Sequence, residues 1–341
     1  MFAKQTIVSA SLVVVLGGSA VADPGGEGRG YFELGAGLST DDGFIATAGV
    51  DQPDLFHTGN ELGLFATLSA RRQLFDARFV DPQLLGGRLQ MDLYNDRRLL
   101  PGFTRQGAGF SMRQSEHISP HVTAWVGYRL EQVTVEDGVS PLARGSQTVY
   151  VPAAAGTVSA LEAGATYSTV DLQMRHGSQL GVYGSYADPR LGSTYAFGKV
   201  GGFGSTHQPI GPFTLHAGGS ITALTPDAPM SERLFLDGSS DVRGFSPGAF
   251  GALGGGTLKA VWHGSLELPV SHSLSAEGFF DAARISNMDF TSPVGIAHGS
   301  GWSVGYGLIW HSPIGPLHAD IAYPLGGPPT LFIAFGDMPP P

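Results

Sequence analysis

The chain has 341 residues, a net charge of −10, 51 glycines, 23 prolines and no cysteine. The acidic balance argues against nucleic acid as a partner, the missing cysteine excludes disulfides, and 42 % hydrophobic residues exclude a disordered polymer. No window after the first 22 residues holds about 18 consecutive apolar residues, so no membrane helix is expected; the remaining class is all-β, either a soluble sandwich or propeller or an outer-membrane barrel.

The first 22 residues read as an export signal. Lys4 is the charged start, Ile7 to Leu16 the short apolar run, and Ala20-Val21-Ala22 a small-x-small cleavage site before Asp23. The run is too short to span a bilayer. Residues 23–30 are then a short periplasmic lead, 31–336 the folded body and 337–341 a tail.

From Tyr31 onward apolar and polar or small residues alternate, as strands require. Tyr31 to Leu38 is the first run, closed by a turn ending in Asp42-Gly43. Phe44 to Val50, Glu61 to Ser69, Gln73 to Val80, Arg88 to Tyr94, Thr104 to Arg113 and His121 to Val135 follow. A loop over 136–155 leads to Val158 to Thr169, Gln179 to Tyr186, Tyr195 to Gly204 and Phe213 to Leu224. A long connection over about 226–255 comes next. The last five runs are Thr257 to Leu268, Leu274 to Ala282, Trp302 to His311, Leu317 to Tyr323 and Thr330 to Phe335.

Sixteen runs with an even count and short alternating segments predict a 16-stranded antiparallel transmembrane β-barrel. The long connections 136–155, 226–255 and 285–301 all follow odd-numbered runs, so they share one end, as outer loops do; 269–273 and 312–315 are short turns. The run from Thr257 separates by face: Leu258, Ala260, Trp262, Leu266 and Leu268 on one, Lys259, His263 and Glu267 on the other. In the next run Leu274, Ala276 and Phe280 oppose Glu277 and Asp281. Lipid outside and a polar lumen inside put the charged sets inward. Trp125, Tyr128, Tyr186, Trp302, Trp310, Tyr323 and Phe335, near strand ends, are read as interface girdles.

Loops as long as 226–255 are usually functional or disordered. This one contains Glu232 to Gly244, ERLFLDGSSDVRG, followed by Phe245. The tetrapeptide Val242-Arg243-Gly244-Phe245 comes before Gly254-Gly255-Gly256, then Phe279-Phe280-Asp281, and then Ser312-Pro313-Ile314-Gly315-Pro316-Leu317 with Ala322-Tyr323-Pro324-Leu325. In this order, from about Tyr31 to Phe335, these marks resemble the carboxy-terminal barrel of the bacterial surface antigen family, which includes BamA-type assembly factors and two-partner secretion transporters. The resemblance implies that loop 226–255 folds into the lumen and that Arg243 meets acidic residues on the twelfth and thirteenth strands, here Glu267 and Asp281. The family's FxDxG motif ends in Ala283 instead of glycine.

Two departures shape the expected function. The lead over 23–30 leaves no room for the POTRA domains that family assembly factors carry, and the chain ends in prolines after Phe335. The implied role is insertion or translocation of unfolded outer-membrane or secreted clients in the bacterial outer membrane, in contact with its lipid and with a separate POTRA-bearing partner. The alternative is a plugged narrow channel or structural barrel. Proline on both sides of the last run limits its hydrogen bonding, so a weak lateral seam is expected between Gly35 on the first strand and Ala334 and Phe335 on the last.

Catalysis and metal binding lack a sequence signature. His-Gly-Ser at His176, His263 and His298 is unremarkable in a glycine-rich chain, and no Gly-x-Ser-x-Gly elbow is expected. There is no HExxH and no cysteine, so no cofactor or metal site is read from spacing. Asp41-Asp42-Gly43 and Asp237-Gly238 are better turn formers than calcium ligands.

Overall fold

The computed structural model describes residues 30–39, 42–141, 148–170, 176–249, 255–287, 299–312 and 315–335. The export signal expected over 1–22, the lead before Gly30 and the tail over 337–341 lie outside the described residues. The strands are β1 (Tyr31–Ser39), β2 (Gly43–Leu55), β3 (Asn60–Leu68), β4 (Arg72–Asp81), β5 (Arg88–Leu100), β6 (Phe103–Ser119), β7 (Val122–Val135), β8 (Gly138–Pro141) and β9 (Thr148–Val151). They continue as β10 (Ala154–Ser168), β11 (Gly177–Ala187), β12 (Phe197–Ile210), β13 (Phe213–Leu224), β14 (Leu258–Pro269), β15 (Leu274–Ser286), β16 (Gly299–Ser312), β17 (Gly315–Pro324) and β18 (Thr330–Phe335). Sixteen of these form one antiparallel sheet in chain order, with β7 pairing directly to β10.

β8 and β9 pair only with each other, as a hairpin inside the stretch expected to be a plain loop. The β-branched and aromatic run Thr148-Val149-Tyr150-Val151 favours extended backbone. Val151 is fully buried against Phe103, Val135 and Phe235, so the hairpin folds back over the barrel mouth. The barrel strands also run longer than the alternation alone suggested: β6 covers 17 residues because its polar stretch beyond Arg113, at the short-turn end, still pairs with β7.

The sheet curls into a barrel turned inside out relative to a soluble protein. Trp262 is 68 % exposed, and Leu266, Phe280, Trp302, Trp310 and Tyr323 share its outward face. Glu277 and Asp281, on the opposite face of β15, are buried. Charged side chains form cross-strand ladders inside, such as Arg78 to Asp92 at 3.0 Å and Arg72 to Asp96 at 3.0 Å. Trp125 departs from the girdle reading: it shares the inward face of β7 with Arg129 and Glu131 and lies under the Arg113 guanidinium, 4.0 Å from the ring centre.

The four longest connections, 136–153, 188–196, 225–257 and 287–298, all join strands at the same end of the barrel. The connection 225–257 leaves that end and turns down into the lumen. At the sheet's two edges β18 pairs with β17 over Leu317 to Ala322, while β1 pairs with β2. Among the described residues no backbone ladder joins β1 to β18, although the two strands lie side by side. β18 has six residues, which with prolines on its approach leaves little edge to pair.

Candidate functional site

The lumen loop is held at three levels. Near the mouth, Leu234 and Gly256 exchange backbone hydrogen bonds of 2.9 and 2.7 Å, tying its two limbs together. The Arg233 guanidinium donates to the carbonyls of Ala228 at 3.0 Å and Pro226 at 2.8 Å, closing the descending limb. Leu234, Phe235 and Leu236 then point to three different apolar clusters. Successive side chains of an extended segment point to opposite sides, and here that lets three neighbours grip three walls.

At the tip, Asp241 and Val242 donate backbone N–H groups to the Gly238 carbonyl, and Phe245 donates to Val242, so the chain reverses at Arg243-Gly244. Gly244 has φ +88°, a left-handed conformation that glycine adopts without steric penalty. A Cβ there would press Ala322 Cβ at 3.0 Å and Pro324 Cδ at 3.2 Å on β17. Gly244→Ala is therefore expected to cost about 1–2 kcal/mol and to expose the loop to limited proteolysis. Equal protease resistance of wild type and Gly244→Ala would show that the tip does not depend on this turn.

The turn aims Arg243 at the lumen wall. Its side chain is 2 % exposed and fully engaged. Nε donates to Asp281 Oδ2 at 2.7 Å and Nη2 to Asp281 Oδ1 at 3.2 Å, a bidentate grip. Nη1 donates to Glu277 Oε1 and to Asp320 Oδ2, each at 3.0 Å. The guanidinium carbon sits 3.3 Å from the Phe279 ring centre, a cation–π contact on the same strand. Burial alone disfavours the charged guanidinium, yet the Asp281 carboxylate, with Glu277 and Asp320, raises its proton affinity above the ordinary arginine value.

The sequence reading named Asp281 and Glu267 as the arginine's partners. Asp281 contacts Arg243; Glu267 does not, and this is a correction. The guanidinium sits between β15 and β17, whereas Glu267 stands on β14, beside Glu277 on the side away from β17. Glu267 instead accepts from His216 at 3.1 Å and His311 at 3.2 Å. The actual partners Glu277 and Asp320 were not singled out as such. Glu277 stood on the inward face already read for β15, but Asp320 comes from β17, which only the folded sheet brings alongside.

A second anchor was missed. Glu232, in the short 3-10 turn Met230–Glu232, reaches the opposite wall. Its carboxylate accepts from Arg129 Nη1 at 3.2 Å and Nη2 at 3.3 Å and lies 3.6 Å from Arg105. Arg105 also donates to the Ser231 carbonyl at 2.9 Å, and both arginines share Glu131 at 2.8 Å. Burial opposes ionisation of Glu232, but Arg129, then Arg105 and Lys199, outweigh it and hold its carboxyl below the ordinary glutamate value. Lys259 of β14 adds a third tie, 2.6 Å from Asp241. The loop is thus a crossbar bound to β6 and β7 on one side and to β15 and β17 on the other. A charged cavity of about 600 Å³ remains between it and the wall of β4 to β7.

The expectation that no Gly-x-Ser-x-Gly elbow is present is corrected: Gly301-Trp302-Ser303-Val304-Gly305 spells that pattern. It runs along the body of β16 with Ser303 fully buried, and not on the strand-to-helix turn that exposes such a serine.

Comparison with known proteins matches residues 54–330 to the model of the Omp85 superfamily domain. Over 316 residues the chain is 24 % identical to the outer membrane protein assembly factor BamA of Nitratidesulfovibrio vulgaris (strain Hildenborough), covering 85 % of this chain and 38 % of that protein. The chain thus spans well under half the length of this curated relative. The crystal structure of BamA from Haemophilus ducreyi lacking POTRA domains 1–3 superposes with a TM-score of 0.75 at 17 % identity, over 95 % of this chain and 74 % of that one. CdiB from Escherichia coli gives a TM-score of 0.60 at 11 % identity, over 94 % and 66 %.

Proposed function

The chain belongs to the Omp85 superfamily, and from that premise we propose that it is a bacterial outer-membrane barrel that inserts or translocates polypeptide. The observation that supports this reading best is the seam: β18 pairs with β17 alone, and its other edge faces β1 without a ladder among the described residues. An unpaired strand edge is a template for an incoming strand. The crossbar loop supports the same reading, because it braces the wall from inside while the two edge strands stay free to part. Glu277 and Asp281 of β15 and Asp320 of β17, the strand next to the seam, tie that side of the wall to Arg243. The outward apolar face takes outer-membrane lipid, unfolded barrel or secreted chains are the clients, and a separate POTRA-bearing protein is the companion. No catalytic step is part of the proposal.

Depletion followed by outer-membrane proteomics tests it. Loss of several barrels, or of one exported protein, is the expected result; purification of the tagged chain should bring a POTRA-bearing protein with it. A cysteine pair at Gly35 and Ala334 should crosslink in membranes and reproduce the depletion phenotype. If the crosslinked protein supports a normal proteome, sideways opening is excluded. An unchanged proteome on depletion favours the second reading, a plugged channel, for which the doubly anchored lumen loop is the observation; planar-bilayer conductance would then be low and would rise on removing the loop.

A further inference from the structure

Three carboxylates surround Arg243, and one guanidinium cannot balance them. Asp281, Glu277 and Asp320 bring three negative charges, all buried, against one positive charge. Lys259 is engaged with Asp237 and Asp241 on the loop. His263 lies 3.2 Å from Asp281 and His318 lies 3.6 Å from Glu277. With both imidazoles neutral the site carries two uncompensated negative charges, a costly arrangement away from water.

Two buried donor atoms in the same pocket are unused. His318 Nδ1 and Asp320 Oδ1 make no hydrogen bond; His318 is 8 % exposed and Asp320 fully buried. Together with a Glu277 oxygen, a nitrogen of His318 and an oxygen of Asp320 fall within 4.8 Å of one another. Register creates this convergence: Glu277 and Asp320 flank Gly307 on either side, and His318 is two residues before Asp320 on the same face of β17. A Cβ at Gly307 would collide with Asp320 Oδ1, so the glycine keeps open the space into which that atom points.

We propose that Glu277, His318 and Asp320 form a binding site for a divalent transition-metal ion, with zinc the ion their donors suit. One imidazole nitrogen and two carboxylates match zinc in ligand type, and three protein ligands leave a fourth position for water. A divalent ion cancels the two surplus charges. Arg243 holds Asp320 Oδ2 and Glu277 Oε1 and so orients both carboxylates from the outer shell, as hydrogen-bonded partners of metal ligands do. The ion would weld β15 and β17 beside the seam, independently of whether the barrel handles polypeptide.

The test uses the full chain, purified in detergent, stripped with EDTA and titrated with zinc chloride. Elemental analysis and calorimetry should report one zinc per chain in the wild type. His318→Gln, which removes one of the three ligands, should abolish stoichiometric zinc while keeping the heat-modifiable band of a folded barrel. His216→Gln, in the separate Glu267 cluster, should leave the zinc in place. Cobalt substitution should give visible d–d absorption that His318→Gln removes. Absence of stoichiometric zinc in the wild type, or loss in His216→Gln with retention in His318→Gln, would overturn the site.

Discussion

Arg243→Ala is expected to destabilise the barrel by about 3–5 kcal/mol, the scale for removing one partner of a buried ion group. The substitution deletes a bidentate bond to Asp281, single bonds to Glu277 and Asp320, and the contact with Phe279. It also leaves three carboxylates facing one another in a site that excludes water. A heat-modifiability gel should show unfolding at lower temperature, and protease should cut within 226–255 in intact membranes. Arg243→Lys keeps the charge but not the planar fork, so it should fall between wild type and alanine. Asp281→Asn, which removes the charge under the fork, should resemble alanine more than lysine. If Arg243→Ala melts with the wild type and its loop resists protease, the arginine does not anchor the loop.

Glu232→Ala should release the other end of the crossbar and cost about 1.5–3 kcal/mol, the scale for hydrogen bonds to a charged group. The loss is smaller than for Arg243 because Arg129 and Arg105 retain Glu131, and Arg129 lies 3.4 Å from Glu162. The double variant with Arg243→Ala should exceed either single change in loop proteolysis, because each anchor limits what the other can release. The pH dependence has a definite sign. The carboxyl of Glu232 is depressed in the folded state, so its contribution is present above the unfolded glutamate value and is lost as pH falls through the lower folded value. The clamp should hold from neutral pH down to about 5 and loosen below about 4. In Glu232→Gln that acid-induced step in loop proteolysis should be absent; an identical acid step in Glu232→Gln would assign the titration to another group.

Much of the architecture was legible because its cause is local. Alternation with period two is a property of each strand by itself, so the sixteen barrel strands and the inward placement of Glu277 and Asp281 follow from side-chain parity. Long connections at one end follow from counting alternate strands. The hairpin of β8 and β9 was not legible, since its four-residue strands are too short to show a period and are held by burial of Val151 on the barrel mouth.

The sequence by itself determined the strand pattern, the long connection over 226–255 and the arginine within it, because these depend on residues within a few positions of one another. Only the tertiary structure decided which acids meet that arginine. Asp320 lies 77 positions from Arg243 and Glu232 lies 103 positions from Arg129; strand register and the descent of the loop bring them together. Glu267 faces the same lumen at the height of Glu277, yet it stands on β14, one strand further from β17, and its carboxylate is taken by His216 and His311 instead of the guanidinium. Parity sets the face a side chain points to. Which strand's side chains it meets, on which each ion pair here depends, comes from strand register and from where the loop descends.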